Sequence, residues 1–231
     1  MSDLYDDPAL AASYARTTAA NVYNACYERP ALRAAAGDVA GRDLLDAGCA
    51  AGEHAEWFAA HGARVVAVDA SAAMVALARE RLGVRARVER ADLAAPLPFD
   101  DASFDLVVSS LTMHYLPEWL PALREFARVL RPGGWFVMST HHPFITIGQV
   151  PEYFGVHRVE EAWTSFAPEP VRVRFYHRPF ERILGDLQAA GFAIRAVREP
   201  QPVPEAAERD PAAAERLRRE PVFLIVDAQR A

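Results

Sequence analysis

Four groups of small and acidic residues stand between residues 44 and 110, each where an apolar run ends. In the first, L-L-D-A-G-C-A-A-G at 44–52, Gly48 and Gly52 allow the chain to turn sharply and to approach a ligand closely. Asp69 follows Gly48 by 21 residues, a spacing that suits a carboxylate accepting hydrogen bonds from ribose hydroxyls. The other two groups are Asp92-Leu93 and the serine end of F-D-L-V-V-S-S-L. Each signal alone also occurs in ordinary strand-to-helix turns, but the four in order predict a nucleoside site.

The charge around the glycine turn indicates which nucleoside is bound. A dinucleotide places its pyrophosphate at a helix N-terminus and needs a small residue there for close packing. This chain has Glu53 at that position and Asp46 nearby. Two carboxylates repel a pyrophosphate but suit a ligand that carries an ammonium and a sulfonium and no phosphate. The residues therefore favour S-adenosylmethionine over NAD.

These groups require a scaffold that brings successive strand ends to one edge. From Arg42 to Thr140 the pattern alternates strand, turn and helix, which predicts a parallel sheet with helices on both faces. Right-handed crossovers then place the carboxyl ends of the strands at the edge where ligands bind. The predicted strands are 44–46, 64–69, 85–89, 104–110, 135–140, 192–197 and 222–227. The predicted helices are 7–37 (N-cap Asp7, restart at Pro30), 53–61, 72–82, 117–130, 179–190 and 211–219.

Two segments lie outside this alternation and predict a cap over the sheet edge. Residues 141–177 are rich in proline and aromatic residues, with a strand-like piece at 171–176, and indicate an insertion. We predict a single domain over 1–231. Its predicted parts are a helical cap at 1–37, a cofactor-binding core at 38–140, a substrate-side insertion at 141–177 and the C-terminal part of the sheet at 178–231.

Five motifs follow one another in a fixed order: D-A-G-C-A-A-G, V-V-A-V-D-A-S-A-A-M, A-D-L-A-A-P-L-P-F, S-F-D-L-V-V-S-S-L-T-M-H-Y-L and L-R-E-F-A-R-V-L-R-P-G-G. In this order they resemble the class I S-adenosylmethionine-dependent methyltransferases, above all the small-molecule branch that includes the ubiquinone and menaquinone methylases. The resemblance is strong over 42–140 and looser over 178–228. It implies a doubly wound α/β fold with a seven-stranded, mostly parallel sheet of order 3-2-1-4-5-7-6 and an antiparallel last strand.

The resemblance also implies roles for the motif residues. The loop around Gly48 would approach the methionine moiety, and Asp69 would hold the ribose. Asp92 would hydrogen-bond the adenine amino group, with Met74 and Leu93 flanking the ring, and Ser109 would line the methionine side. The full predicted set of cofactor contacts is Asp46, Gly48, Ala50, Gly52, Asp69, Ser71, Met74, Asp92, Leu93, Ser109 and Tyr14. Ala50 departs from the family, which usually has glycine there, and its methyl is expected to narrow the loop or lower affinity.

Histidines follow two strand ends on the substrate side. Methyl transfer from a sulfonium is an in-line displacement, so alignment supplies most of the acceleration and no protein nucleophile is needed. A hydroxyl acceptor gains from a neighbouring base. We place that base on His142, which Pro143 biases toward extended geometry, with His141 and His114 as reserves. The alternative role for each histidine is a solvated loop residue. No metal is expected, since no third ligand follows at a recognisable spacing.

Aromatic residues of the two cap segments are candidates for the roof of an acceptor pocket. They suit an apolar or planar acceptor and a sulfonium, although packing is the alternative role for many of them. The candidates are Tyr153, Phe154, Trp163, Phe166, Tyr176, Tyr14, Tyr23 and Tyr27.

Composition excludes several function classes. All 25 basic residues are arginines, so Schiff-base lysine chemistry and a Walker-type phosphate loop are excluded. A net charge of −6 disfavours nucleic-acid binding, and no apolar run approaches the ~18 residues that span a bilayer. Cys26 and Cys49 stand in unrelated contexts, and Met1 to Asp7 is acidic and polar, so we expect a cytoplasmic protein without a secretory signal.

The predicted function is transfer of a methyl group from S-adenosylmethionine to an oxygen, nitrogen or carbon atom of a small-molecule acceptor, by a monomer or homodimer. Three alternatives stay open. They are a methyltransferase of RNA or protein, a non-catalytic cofactor-binding module and an NAD-type oxidoreductase. The loop S-S-L-T-M-H-Y lacks the N-P-P-Y-type pattern that the first would need, and the acids at 46, 69 and 92 argue against the second.

Overall fold

Nine strands and nine α-helices form in the computed structural model, which describes residues 3–167 and 169–231, without the side chains of Asp3 and Leu4. Met1, Ser2 and Pro168, which belong to the predicted cap and insertion, lie outside the described residues. The strands are β1 (Asp43–Ala47), β2 (Arg64–Asp69), β3 (Ala86–Arg90), β4 (Phe104–Ser110), β5 (Leu130–His141), β6 (His157–Trp163), β7 (Val171–His177), β8 (Phe192–Arg198) and β9 (Phe223–Arg230). The helices are α1 (Pro8–Ala20), α2 (Arg29–Ala36), α3 (Glu53–Ala60), α4 (Ala72–Leu82), α5 (Leu120–Val129), α6 (Pro143–Thr146), α7 (Phe180–Ala189), α8 (Glu205–Arg209) and α9 (Pro211–Arg219).

Seven of the strands make one sheet in the order β3-β2-β1-β4-β5-β9-β8. Strand β9 runs antiparallel to both β5 and β8, and the other pairings in this sheet are parallel. Strands β6 and β7 form a separate antiparallel hairpin. With that hairpin set aside, the order is the predicted 3-2-1-4-5-7-6 with an antiparallel last strand, so the fold prediction is confirmed.

Both faces of the sheet are covered, which explains why its inner strands are nearly continuous apolar runs. On one face Phe126 and Phe136 pack in the layer under α5 and α7. On the other face Leu32, Phe58 and Leu82 pack in the layer under α2, α3 and α4. The helix layers leave the carboxyl ends of the strands uncovered by helices, and there Asp46 and Asp69 line a cleft.

Helix caps place several predicted boundaries correctly. Asp7 accepts hydrogen bonds from the N–H groups of Ala9 and Leu10 (2.8 and 2.9 Å) at the start of α1. Ser71 accepts one from the N–H of Met74 (3.1 Å) at the start of α4. A side chain that satisfies an orphan N–H is the physical reason that these residue types begin helices.

Two predicted boundaries were wrong, and one strand was missed. Helix α5 begins at Leu120 and not at Pro117, because the indole of Trp119 donates to the carbonyl of Met113 (2.7 Å) and holds the preceding residues in a turn. Strand β5 begins at Leu130, which pairs with Phe104, and the predicted turn at 131–134 is a bulge before pairing resumes between Trp135 and Leu106. Strand β6 was missed because only its pairing with β7 defines it.

The N-terminal helical segment is broken earlier than predicted. Helix α1 ends at Ala20, Asn21 is extended, and Asn24–Glu28 form a π-helical turn before α2. Wide turns of this kind are frequent at functional sites. No helix formed by residues 3–167 and 169–231 is both long and apolar enough to cross a membrane.

Candidate functional site

A cleft that is partly open to solvent lies at the carboxyl edge of β1, β2 and β4. The loop after β1 forms its floor, and the N-terminal segment lies over it. Its lining residues are Tyr5, Tyr14, Ala15, Thr18, Asn24, Glu28, Arg29, Asp46, Gly48, Cys49, Ala50, Ala51, Glu53, His54, Asp69, Met74, Ser110, Leu111, Thr112 and Tyr115. Of the predicted cofactor contacts, the cleft brings together Asp46, Gly48, Ala50, Asp69, Met74 and Tyr14.

The loop after β1 adopts a conformation that favours glycine. Gly48 has φ +86°, and a Cβ atom there would lie 2.3 Å from side-chain atoms of Thr112. Ala50 has φ +47°, a left-handed conformation that costs an L-residue roughly 1–2 kcal/mol. A strained backbone of this kind persists where the surrounding structure holds it, and here it lines the cleft.

Asp69 is what holds this loop. One carboxylate oxygen accepts the N–H of Ala50 (2.9 Å) and the other accepts the N–H of Ser71 (2.9 Å). Burial raises the pKa of this carboxyl, while the two backbone N–H donors oppose that rise. Each ionised oxygen can accept more than one bond, so Asp69 keeps capacity for hydroxyl donors in the cleft.

Asp46 is a buried carboxylate without an ion-pair partner among the described residues. It is 1% exposed, and neither oxygen accepts a short hydrogen bond there, although the N–H of Ala55 and the imidazole of His54 favour its charge. Burial raises its pKa to about 6, which still leaves it mostly ionised at neutral pH. An unpaired buried charge is costly, so this group fits a ligand that brings a cation with N–H donors. The residues present therefore suit S-adenosylmethionine better than a phosphate-bearing nucleotide.

A second buried acid, Glu28, was missed from the sequence. It lies on the π-helical turn and is fully buried, yet it lines the cleft. Its Oε1 accepts hydrogen bonds from the hydroxyls of Ser110 (2.8 Å) and Ser139 (2.5 Å), and its Oε2 lies 3.2 Å from Nε2 of His54. Burial alone would raise the pKa of Glu28, but His54 and the two hydroxyls outweigh burial and lower it. Its one sequence signal was a charged pair, Glu28-Arg29, between otherwise apolar helical residues.

Glu53, in contrast, does not present a free charge to the cleft. Its carboxylate forms an ion pair with Arg29 and lies 3.3 Å from the guanidinium of Arg81. Burial lowers the pKa of Arg29 to about 10, so Arg29 stays charged at neutral pH. The acidic character of the cleft therefore comes from Asp46, Glu28 and Asp69.

Three tyrosines close the cleft from above. The hydroxyls of Tyr5 and Tyr115 are 3.0 Å apart, and the ring of Tyr14 lies 4.8 Å from that of Tyr5. Tyr14 also makes an edge contact with Phe166 of the insertion at 5.3 Å. Burial raises the pKa of all three phenols, so they are neutral hydrogen-bonding groups at physiological pH.

Five predicted cofactor contacts lie elsewhere. Gly52 packs against Ala78 and Leu82, and Leu93 is buried in the core. Ser71 caps α4 and donates its hydroxyl to the carbonyl of Tyr5. Asp92 is exposed and accepts the N–H of Ala94 (3.0 Å). The side chain of Ser109 is buried and donates to the carbonyl of Ala47 (2.9 Å), so Ser110 takes the cleft position that was assigned to it.

His142 lies in a structural turn rather than in the cleft lining. Its Nδ1 accepts the N–H of Phe144 (3.1 Å), which caps α6, and its Nε2 lies 3.0 Å from a carboxylate oxygen of Glu199. Burial lowers its pKa, and the neighbouring carboxylate opposes that shift. With both ring nitrogens engaged, this geometry does not favour His142 as a base.

His114 and His141 stack on each other beside the cleft. Their ring centroids are 3.8 Å apart with 12° between the planes, and Phe175 places its edge against both rings. His114 also packs on Tyr115, a cleft residue, at 4.4 Å. Burial lowers the pKa of His141 to about 4 and that of His114 well below its usual value, so both are neutral at pH 7. Within the described part of the chain, Nδ1 of each ring lacks a partner.

The sequence of this chain is similar to those of known methyltransferases. Residues 45–138 match the family described as a methyltransferase domain. A demethylmenaquinone methyltransferase of Clavibacter sepedonicus is 40% identical over 141 residues, which are 60% of this chain and 56% of that protein. A malonyl-[acyl-carrier protein] O-methyltransferase of Enterobacter lignolyticus is 33% identical over 58% of this chain and 49% of that protein. The chain thus spans about half the length of these curated relatives.

Solved structures also match over nearly the whole chain, and one of them exceeds 30% identity. It is an S-adenosylmethionine-dependent methyltransferase from Mesorhizobium loti, 33% identical, with a TM-score of 0.73. The match covers 92% of this chain and 100% of that one.

Proposed function

The chain belongs to the S-adenosylmethionine-dependent methyltransferases, and we propose that it transfers the cofactor's methyl group to an oxygen, nitrogen or carbon atom of a small-molecule acceptor. The observation that carries the small-molecule assignment is the contact between the cap and the insertion over part of the cleft. Tyr14 on α1 touches Phe166, and Thr17 donates to the carbonyl of Ser165 (3.4 Å), so cap and insertion meet above the cleft. An RNA or protein acceptor would reach the cleft only if the cap and the insertion moved apart, whereas a small acceptor would need no such movement.

The cofactor supplies an activated methyl group on a sulfonium. On the protein side, Asp69 would hold the ribose hydroxyls, and the loop at Gly48 and Ala50 would offer its backbone at close range. Asp46 would accept the N–H groups of the ammonium, and Arg29 is placed in the lining to pair with the carboxylate. These groups are fixed before binding, which lowers the ordering cost of alignment.

We assign the acceptor side to the stacked pair, with His141 as the base. His141 is the less buried of the two rings, and burial keeps it unprotonated at neutral pH. Its role is to take a proton from an acceptor hydroxyl, while His114 and Phe175 hold its ring plane. Aromatic and neutral surroundings favour an uncharged, planar or apolar acceptor. A quinol is a reasonable first candidate, given the name of the demethylmenaquinone methyltransferase among the relatives.

The organisation predicted from the sequence is kept as part of this proposal. A single domain over 1–231 would combine the cap at 1–37, the core at 38–140, the insertion at 141–177 and the rest of the sheet at 178–231. Action in the cytoplasm, as a monomer or homodimer and without nucleic acid or membrane, likewise stays a prediction.

Calorimetry with S-adenosylmethionine and S-adenosylhomocysteine is the first test, with thermal stabilisation as a second readout. Transfer of labelled methyl to a panel of phenols, quinols, carboxylic acids and amines is the next step, with bulk RNA and protein as comparison acceptors. We expect label only in a small molecule. Labelled RNA or protein would overturn the acceptor class, and cofactor binding with no transfer to any class would favour a binding module.

A further inference from the structure

Leu111, the residue after β4, adopts a backbone conformation that is rare for a bulky side chain. Its φ is +45°, in the left-handed region that glycine, asparagine and aspartate enter most readily. Among the described residues, Ala50 and Ala102 are the other non-glycine residues in this region, and each carries only a methyl group. A strained conformation of this kind persists where the surrounding structure holds it, and it is most frequent at functional sites.

Hydrogen bonds on two sides hold the turn around Leu111. Its N–H donates to the hydroxyl oxygen of Ser139 (3.0 Å) and to the carbonyl of the same residue (3.1 Å). The Ser139 hydroxyl in turn donates to Glu28 on the π-helical turn of the cap (2.5 Å). On the other side, the hydroxyl of Thr112 lies 3.2 Å from the carbonyl oxygen of Gly48. The cap and the loop after β1 therefore fix the position of Leu111 between them.

This turn connects the cofactor loop with the stacked histidines. Leu111 lines the same cleft as Gly48. It precedes His114 by three residues, and its partner Ser139 precedes His141 by two residues on β5. Because alternate residues of a strand share a face, Ser139 and His141 lie on the same side of the sheet. Leu111 therefore lies at the acceptor end of the proposed site.

The side chain of Leu111 gives this end of the cleft an apolar surface. Leu111 and Met74 are the large aliphatic residues in the lining. Met74 lies in the first turn of α4, next to the loop that Asp69 holds, and so belongs to the nucleoside end. Leu111 is half-buried and also packs against the apolar cluster around Tyr27 of the cap. The acceptor end thus has an aliphatic wall beside its aromatic rings.

We propose that Leu111 determines acceptor specificity, because its side chain forms the wall on which a flat, uncharged face of the acceptor packs. This inference rests on the proposed methyl transfer and assigns one residue to the choice of acceptor. An acceptor with a charged group against Leu111 would have to desolvate that group without a partner, which is unfavourable. The strained backbone is maintained because it keeps this wall beside the stacked rings of His114 and His141.

The test measures the binding of two probes by calorimetry with S-adenosylhomocysteine at saturation. They are naphthol, which is planar and uncharged, and a hydroxynaphthoic acid, which adds a carboxylate to the same rings. We expect wild type to bind naphthol about tenfold or more tightly than the acid. Leu111→Asn suits the left-handed backbone but removes the apolar wall, so it should weaken naphthol about tenfold and change the acid by about twofold or less. The affinity for S-adenosylhomocysteine should be the same in both proteins.

Two further variants separate the wall from the fold. Leu111→Met keeps a large apolar side chain, so we expect it to bind naphthol within about threefold of wild type. Leu111→Ala removes the wall by truncation, so it should repeat the loss of about tenfold even if Leu111→Asn folds poorly. The proposal would be overturned by unchanged naphthol affinity in the truncated variant, by equal losses of naphthol and S-adenosylhomocysteine, or by a wild type that binds naphthol no better than the acid. Failure of wild type to bind S-adenosylhomocysteine would instead reject the proposed function.

Discussion

The site has a cofactor end around Asp46 and a proposed acceptor end at the stacked rings of His114 and His141. Both are largely buried, but they carry different charges at neutral pH. Burial opposes ionisation at each end. It raises the pKa of Asp46 to about 6, which leaves this acid mostly ionised, and it lowers the pKa of His141 to about 4, which leaves this base neutral. Burial therefore leaves a negatively charged carboxylate at Asp46 and an uncharged imidazole at His141.

The two ends also differ in how they are supported. Asp46 has no ion-pair partner among the described residues, and only the N–H of Ala55 and the imidazole of His54 favour its charge, so the ligand-free fold bears most of the cost of that charge. The imidazoles of His114 and His141 are stacked and packed by Phe175, which needs no charge compensation. This difference is consistent with the proposal that one end binds a cation and the other an uncharged acceptor.

The largest expected effect is on the loop that supports the cofactor end. Gly48→Ala would place a Cβ 2.3 Å from Thr112 at φ +86°, so we expect a loss of more than about 3 kcal/mol in unfolding free energy, with cofactor binding abolished. Denaturant unfolding and calorimetry measure both. Gly41→Ala is the matched control, because Gly41 has φ +72° and open space around it, so only the ~1 kcal/mol of backbone strain is expected. Equal losses in the two variants would show that the contact with Thr112 is unimportant.

At the acceptor end, His141→Phe keeps a ring in the stack and removes the base. We expect turnover on the true acceptor to fall about 100-fold, or about 2.7 kcal/mol in the barrier, with cofactor affinity unchanged. His142→Ala should instead lose the cap of α6, about 1 kcal/mol of stability, and keep its turnover. Unchanged turnover in His141→Phe, together with a large loss of turnover in His142→Ala, would instead identify His142 as the base.

Asp46→Asn sharpens the comparison because stability and binding should move in opposite directions. A raised pKa means that the ionised group destabilises the fold as pH rises from about 4 to about 6, so removing the charge should stabilise the ligand-free protein by about 3 kcal/mol at pH 7. The gain should vanish below about pH 4, where Asp46 is protonated in both states. Thermal scans from pH 4 to 8 measure it.

Asp43→Asn is the control for that experiment, at the other end of the same strand. Hydrogen bonding to Arg64 lowers the pKa of Asp43, so this carboxylate stabilises the fold and its removal should cost less than about 1 kcal/mol. The prediction for Asp46 itself would be contradicted if wild type were more stable than Asp46→Asn at pH 7. In that case the ligand-free protein would already compensate the charge of Asp46.

The smallest effect is expected for Ala50→Gly. Relief of the left-handed strain, less the added flexibility of glycine, should stabilise the fold by about 0.5–1 kcal/mol. Cofactor affinity should be kept or improved. Ala102→Gly, at φ +55° far from the cleft lining, should give the same gain with no change in affinity. A fall in affinity of more than about tenfold, or ~1.4 kcal/mol, would show that the methyl of Ala50 shapes the site.

The amino-acid sequence by itself determined the motif strands, most helix caps and the cofactor class. These features depend on local patterns, since apolar runs, capping residues and glycine turns act within a few residues of where they stand. The sheet order, in contrast, was implied only by the resemblance of the motifs to a known family. Asp46, Gly48 and Asp69 could be placed in the cleft for the same reason, because parallel strands bring their carboxyl ends to one edge.

Tertiary structure alone decided what the cap contributes. Glu28 and Ser139 meet although 111 positions separate them, and strand β6 exists only through its pairing with β7. Ser109 and Ser110 exchanged roles because adjacent strand residues point to opposite sides, so a one-residue difference moves a side chain from the core to the cleft. Whether a histidine is a free base depends on its partners, and the partner of His142 is Glu199, 57 residues away in the chain. Such contacts arise from packing between distant segments, which no local pattern encodes.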